Sequence, residues 1–419
     1  MFVARRAAIE EKHDIFSVLT ARDIRSGFHS PAMVSQMHDD VKLSLTNLGI
    51  NYVGAMLAIL VNNERKGAEK LYVGNVPIPD PQERQVLVKI KAFGLNRMDI
   101  LQREGQYPVP PGASDILGVE FSGTIDKLGS DSGTWSVGDE VFGLATGGAY
   151  AEYIAIGVDF ILPKPRAMSW EVAASIMENY VTAFQSLVVI GLLKENEDVL
   201  IHTGASGTLK GPPPGNGHTD TVSKGVGTAA LQIAKSYGVK NIFTTASSAE
   251  KLEFLQTLVA NPNLLHTINY KTSDFEKEIK EITNGRGVDV LIDFVGKSHW
   301  DRNLAALALD GRMVMLGLLS GMDLEKTSIA PILFKRLHII GSTLRSRSPA
   351  YQGELVQRFG KEIFPFIADE RFGEQMRDSK GGKAIQVVIH AVYPIEEIVK
   401  AHQDMESDKS VGKIVVTVP

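Results

Sequence analysis

The chain has no cysteine among its 419 residues. That excludes disulfide scaffolds, Cys-ligated zinc lobes, iron–sulfur clusters and thiolate nucleophiles. Aromatic residues make up only 7%, with three tryptophans. Neither sign of charge is in large excess: 44 Lys and Arg face 49 Asp and Glu, a net charge of −5. Such a balance offers no field for nucleic acid or an acidic membrane surface, and neither is expected as a partner. Long apolar runs are also missing; the longest, such as Leu187–Leu193, fall far short of a membrane span. Near the start, Arg5 and Arg6 are followed at once by Glu10, Glu11 and Asp14, unlike a transit peptide, so cytoplasmic residence is expected.

What is present reads as three regions. Residues 1–55 mix charges without clear periodicity and are expected to be a loosely ordered extension, with a helix at Pro31–Leu48. Residues 56–177 read as a small, mostly β domain. Gln85–Phe93 has a strong period of two, and Val119–Ile125, Glu140–Phe142 and Ala151–Ile156 add short strands between Gly-rich turns. From Trp170 the pattern changes to helix alternating with strand. Asp198–Ala205 is a buried strand and Val226–Tyr237 a helix. Further strands are expected at Asn241–Thr245, His266–Asn269, Val288–Phe294 and Arg312–Leu316. This alternation predicts an α/β fold with a doubly wound parallel sheet over 178–340. Residues 341–419 close with a strand at Ala384–Ile389, a helix at Glu396–Met405 and a strand at Lys413–Val418.

One stretch interrupts this grammar. Thr208–Gly225 is rich in Pro and Gly and sits where a strand should turn directly into a helix. Without it, Gly204-Ala205-Ser206-Gly207 runs into Val226-Gly227-Thr228. A strand, a Gly-rich turn and a helix in that order aim free backbone N–H groups and a helix dipole at a pyrophosphate. A nucleophile elbow around Ser206 fails because the second glycine that it requires is absent. The next strand after this turn ends Thr244-Thr245-Ala246-Ser247-Ser248, with Lys251 a turn later. Hydroxyls and a cation suit a 2′-phosphate, and no acid stands there to bind a free ribose hydroxyl; the same serines can also cap the helix.

No histidine lies between His38 and His202, so the β domain by itself has neither the usual zinc ligands nor a His acid. Its candidates for chemistry are Asn96 and Tyr107; a tyrosine beside a nicotinamide can orient or donate a proton, or simply pack.

Several segments resemble one family, in order: Leu95–Gly123, Val181–Leu187, Val226–Lys235, Ile268–Phe275, Asp310–Gly321, Leu333–Arg336, Thr343–Arg347 and Val411–Val416. They are similar to the zinc-free NADPH:quinone oxidoreductases of the medium-chain dehydrogenase/reductase superfamily, in particular the subgroup near zeta-crystallin that is induced by a tumour suppressor. Where zinc-dependent relatives carry Gly-His-Glu, this chain has Gly118-Val119-Glu120. The resemblance implies a GroES-like substrate domain, a Rossmann domain and an active site in the cleft between them. It implies NADPH held by Ser206, Gly207, Val226, Gly227, Ser247, Lys251 and Tyr270. Thr182 would face the nicotinamide, and Phe294, Val295, Gly317 and Leu318 would line the cofactor. It places Asn96 and Tyr107 at a quinone pocket, requires no metal, and suggests a homodimer through edge strands near Leu337–Gly341. Arg345 and Arg347 could reach the cofactor phosphates or form a solvated pair. The alternatives are an enoyl-thioester or enone reductase, or an NADPH-binding protein impaired by the 208–225 insert.

Overall fold

The alternating segment Gln85–Gly94 forms the central strand of a seven-stranded sheet in this computed structural model. The structure describes residues 54–202, 221–368, 385–407 and 410–419. The helix expected at Pro31–Leu48, the turn residues Ser206 and Gly207, and the insert as far as residue 220 lie outside the described residues. Ala55–Pro419 is one compact unit.

Strands β1 (Ala55–Val61) and β2 (Leu71–Pro77) pair as an antiparallel ribbon. The seven-stranded sheet holds β3 (Gln85–Gly94), β4 (Glu120–Leu128), β5 (Glu140–Leu144), β6 (Tyr153–Gly157) and β7 (Ile161–Pro163). The Rossmann sheet follows with β8 (Asp198–His202), β9 (Asn241–Ala246), β10 (Leu265–Asn269), β11 (Val288–Asp293), β12 (Leu307–Met315) and β13 (His338–Gly341). Short strands β14 (Ile367–Ala368) and β15 (Ile385–Gln386) pair with each other. Then β16 (Ile389–Pro394) and β17 (Lys413–Thr417) return to the first sheet, whose order is β16-β17-β3-β4-β5-β7, with β6 also on β3.

The Rossmann sheet is parallel throughout, in the order β10-β9-β8-β11-β12-β13. The order reverses beside β8, which opens a crevice at the carboxyl ends of β8 and β11. Every residue of β8 is buried. Helix Thr221–Ser236 covers it with Val226, Ala229, Ala230, Ile233 and Ala234, spaced to form one apolar face.

That helix begins earlier than expected. Thr221, Val222, Ser223 and Lys224 extend it by about one turn beyond Val226. The helical pattern that opens at Trp170 is made of pieces: a turn at Trp170–Ala173, π-helical segments Met177–Val181 and Gln185–Ile190, and Thr182–Phe184 between them. The strand expected at Ala384–Ile389 divides into β15 and β16, since Val387 and Val388 pack against the Rossmann core instead of continuing either ladder. No helix among the described residues is long and apolar enough to cross a membrane.

Candidate active site

Asn96 follows β3 and precedes helix Arg97–Arg103. Its backbone N–H donates to Asp99 Oδ2 at 2.8 Å, a capping arrangement that fixes where the helix starts. Its side chain is buried and engaged at both ends: Nδ2 donates to Glu120 Oε1 at 2.9 Å, and Oδ1 accepts from Lys413 Nζ at 2.6 Å. Lys413 also forms an ion pair with Glu120. The sheet order explains the meeting, because β17 and β4 flank β3 on either side. Gly94 makes room for it: a Cβ there would lie 2.5 Å from Glu120 Oε1.

Glu120 Oε2 accepts the backbone N–H of Glu178 at 3.0 Å. Glu178 is only partly buried, and its own carboxyl oxygens have no hydrogen-bond partner among the described residues. Burial raises its pKa to about 7; Glu120 and Asp99 push the same way, while Lys413 and Arg345 pull back. Glu178, Asn96, Asn179, Val226 and Lys413 line a cavity of about 60 Å³. Sequence reasoning missed Glu178. The available signal was an acid set inside an otherwise apolar helical stretch, beside Thr182.

Tyr107 lies outside that lining, half-buried, with the Arg345 guanidinium 5.5 Å from its ring centre. Burial pushes its hydroxyl pKa up, Glu178 adds to the rise, and Arg345 opposes it. The two expected acceptor-binding residues are therefore in separate settings. Asn96 belongs to the Glu120–Lys413 cluster and Tyr107 to the Arg345 side. Arg345 is not part of a solvated pair. It is buried, with Nε on Thr146 O and Nη1 on Gln102 Oε1, both at 2.8 Å, and its Nη2 has no partner. Arg347 is exposed and lies over the Tyr351 ring.

The β domain acquires a histidine from the C-terminal return. Arg103 Nη1 lies 3.1 Å from His402 Nδ1, and His402 Nε2 lies 3.2 Å from the Tyr150 hydroxyl. Arg can only donate, so Nδ1 accepts and Nε2 carries the proton. Tyr150 in turn donates to Asp99 Oδ2 at 3.0 Å. Burial drives the His402 pKa down to about 3 and raises that of Asp99 to about 6. Gly118 closes the same corner; its φ is +92°, and a Cβ would lie 2.3 Å from the Tyr150 ring.

Of the expected dinucleotide residues, Ser247, Lys251, Tyr270, Phe294, Val295, Gly317 and Leu318 follow the carboxyl ends of Rossmann strands. Ser247 and Ser248 follow β9; Ser248 accepts from Lys251 N–H at 3.4 Å as a helix cap, and Lys251 Nζ donates to Ser247 Oγ at 3.3 Å. Tyr270 follows β10. Phe294 and Val295 are buried after β11, and their carbonyls accept from Leu319 N–H and Ser320 N–H across the loop that carries Gly317 and Leu318. Thr182 has a buried hydroxyl with no partner. An unpartnered buried hydroxyl and a lysine bonded to a serine beyond a Rossmann strand are groups that can hold a dinucleotide.

Val226 and Gly227 are placed differently. Both are buried inside the helix, where their N–H groups bond to the carbonyls four residues back. Thr221–Gly225, the end of the insert, is itself helical, so Val226 and Gly227 do not stand at the helix start. Among the described residues, no group of three His, Asp or Glu side chains is placed to hold a metal ion.

Comparison with known proteins agrees with this architecture. Residues 82–166 match the alcohol dehydrogenase GroES-like domain family, and residues 225–361 match the zinc-binding dehydrogenase family. The chain is 26% identical to quinone oxidoreductase of Homo sapiens over 344 residues, 82% of this chain and 92% of that protein. It is also 26% identical to the synaptic vesicle membrane protein VAT-1 homolog of Danio rerio over 342 residues, 81% of this chain, and spans 65% of that protein. Among solved structures, a mycobacterial quinone oxidoreductase superposes with a TM-score of 0.67 at 28% identity, covering 87% of this chain and 100% of the other. A mycobacterial protein complexed with NADPH gives 0.65 at 28% identity, with the same coverage. CurK enoyl reductase gives 0.67 at 27% identity, covering 87% and 99%.

Proposed function

We propose that this chain, which belongs to the quinone oxidoreductase type of the medium-chain dehydrogenases/reductases, reduces a quinone or similar electron-poor acceptor with NADPH and without zinc. NAD(P)-dependent oxidoreduction is the chemistry of this family. The observation that carries the finer reading is the unpartnered buried Thr182 hydroxyl taken together with the Lys251–Ser247 contact after β9. When bound, NADPH supplies a hydride.

The protein's own residues do the rest. Ser247 and Lys251 would hold the 2′-phosphate, and Thr182 the nicotinamide side. Tyr270, Phe294, Val295, Gly317 and Leu318 would wall the site and exclude water. Tyr107 and Asn96 would hydrogen-bond the acceptor oxygens. The zinc-free reading is supported by Lys413, whose ammonium, fixed on Glu120 and Asn96, would repel a divalent ion.

The likeness to CurK enoyl reductase supports a second reading, reduction of an enone or enoyl thioester. Consumption of NADPH with benzoquinone, naphthoquinone and crotonyl-CoA tests both. Turnover of quinones supports the first, and turnover of crotonyl-CoA alone replaces it with the second. The proposal includes a cytoplasmic homodimer. It is supported by the edge position of β13 and by the exposure of Ile329, Leu333 and Phe334 nearby, at 73–76%. Light scattering on the parent and on Phe334→Asp tests it; an unaltered monomer in both would refute it.

A further inference from the structure

We infer that Glu178 is the residue that gives the proton to the acceptor as it is reduced; this rests on the oxidoreductase reading above. The inference begins with the unequal treatment of two neighbouring acids. Glu120 has both oxygens engaged, by Asn96 and Lys413 on one and by the Glu178 N–H on the other. Glu178 is anchored through its main chain and lines a cavity, and its carboxyl has no hydrogen-bond partner among the described residues. An acid that lines a cleft, partly open to it and without a protein partner among the described residues, is free to bond to a group that arrives with a ligand. Glu178 is also partly accessible, as a group that must meet a small molecule has to be.

The groups around it keep the proton in place. Glu120 from β4 and Asp99 from helix Arg97–Arg103 repel a charge on Glu178; Lys413 from β17 and Arg345 beyond β13 attract one. Lys413 is already neutralised by Glu120, which weakens its pull. Burial is the largest influence and favours the neutral acid up to about pH 7. Tyr107 is a poorer donor, since its hydroxyl is held above its ordinary range. One acid, Glu120, is bonded at both oxygens and holds structure, while the other, Glu178, is left free, a division of labour that suits acid catalysis.

The chemistry balances with the reaction already proposed. The acceptor gains two electrons as a hydride. The Glu178 O–H bond breaks as an O–H bond forms on the acceptor oxygen, or a C–H bond on an enone carbon. The carboxylate then takes a proton from water, so one proton from solvent is consumed per NADPH.

The test uses the full-length protein with Glu178→Gln and Glu178→Asp. Infrared titration should show a protonated carboxyl band in the parent that disappears around pH 7 and is absent from Glu178→Gln. With an enone and a quinone, the parent's kcat should fall above about pH 7. Glu178→Gln should lose this dependence and about 100-fold of kcat with the enone, at unchanged NADPH affinity. Glu178→Asp should retain the dependence at a lower rate. A Glu178→Gln protein with the parent's rate and pH profile overturns the inference, as does a carboxyl already fully ionised at pH 5. A parent that binds NADPH yet reduces no acceptor refutes the oxidoreductase reading and takes the inference with it. The infrared titration, which needs no turnover, tells that failure from the others.

Discussion

Glu120 accepts the backbone N–H of Glu178 at 3.0 Å, so one carboxylate anchors the main chain that carries the other. The contact joins the start of β4, in the substrate domain, to the π-helical segment that leads into the Rossmann domain. Anything that alters Glu120 is therefore felt at Glu178, and the pair Glu120–Lys413 becomes the first place to perturb.

Lys413→Met should cost about 3–5 kcal/mol, because it leaves the wholly buried Glu120 without its counter-charge. Adding Glu120→Gln should recover much of that loss. Urea denaturation of the single and double variants reads both effects. A single variant within about 1 kcal/mol of the parent would mean that the two charges are solvated in solution.

Tyr107→Phe should lower kcat/KM two- to tenfold, about the worth of one hydrogen bond, with each of several quinones. Steady-state assays decide it. Full activity throughout would leave Tyr107 as a packing partner of Arg345.

Acidification should expose His402. Burial, with Arg103 adding to it, holds its folded-state pKa near 3, whereas an unfolded histidine titrates near 6.5. The unfolded chain thus binds the extra proton as pH falls. The stability tied to a neutral His402 is present above about pH 6.5 and is lost through the window down to about pH 3, at about 1.4 kcal/mol per pH unit. His402→Gln, which can still accept from Arg103 and donate to Tyr150, should show a shallower decline between pH 6 and 4. Equal slopes in parallel denaturation series would place the histidine in contact with solvent.

Removal of Thr208–Gly225 should start the helix at Val226 and free the N–H groups of Val226 and Gly227. NADPH affinity should then rise by about tenfold or more. Fluorescence titration of both proteins measures it. Equal affinity would show that the phosphates are held by other donors, and weaker binding would show that the insert takes part in holding them.

Strands whose alternation is local, such as β3, were legible because period two needs no knowledge of neighbours. The βα units were legible for the same reason. Lys413 was quoted only as part of a terminal strand, since its meeting with Glu120 and Asn96 depends on a sheet order that joins distant segments. His402 was out of reach in the same way; counting histidines along the β domain could not anticipate one delivered by the C-terminal return. The helix start was misplaced because the Pro and Gly of the insert obscured the helix-forming residues at its end. Glu178 was overlooked because an acid in a helical stretch ordinarily faces water. Its partial burial comes from the sheet packed against it.

The placement of β17 between β16 and β3 has a consequence for how the molecule is made. The first sheet starts to emerge from the ribosome well before the Rossmann strands, yet the Ala92–Gly94 end of its central strand, beyond the stretch paired with β6, stays open on one side until β17 is translated. The domain begun first is thus completed last, and until then Asn96 and Glu120 wait without their cation. During that interval the Ala92–Gly94 end of β3 offers a short backbone edge to other nascent chains, and the arrival of β17 closes it.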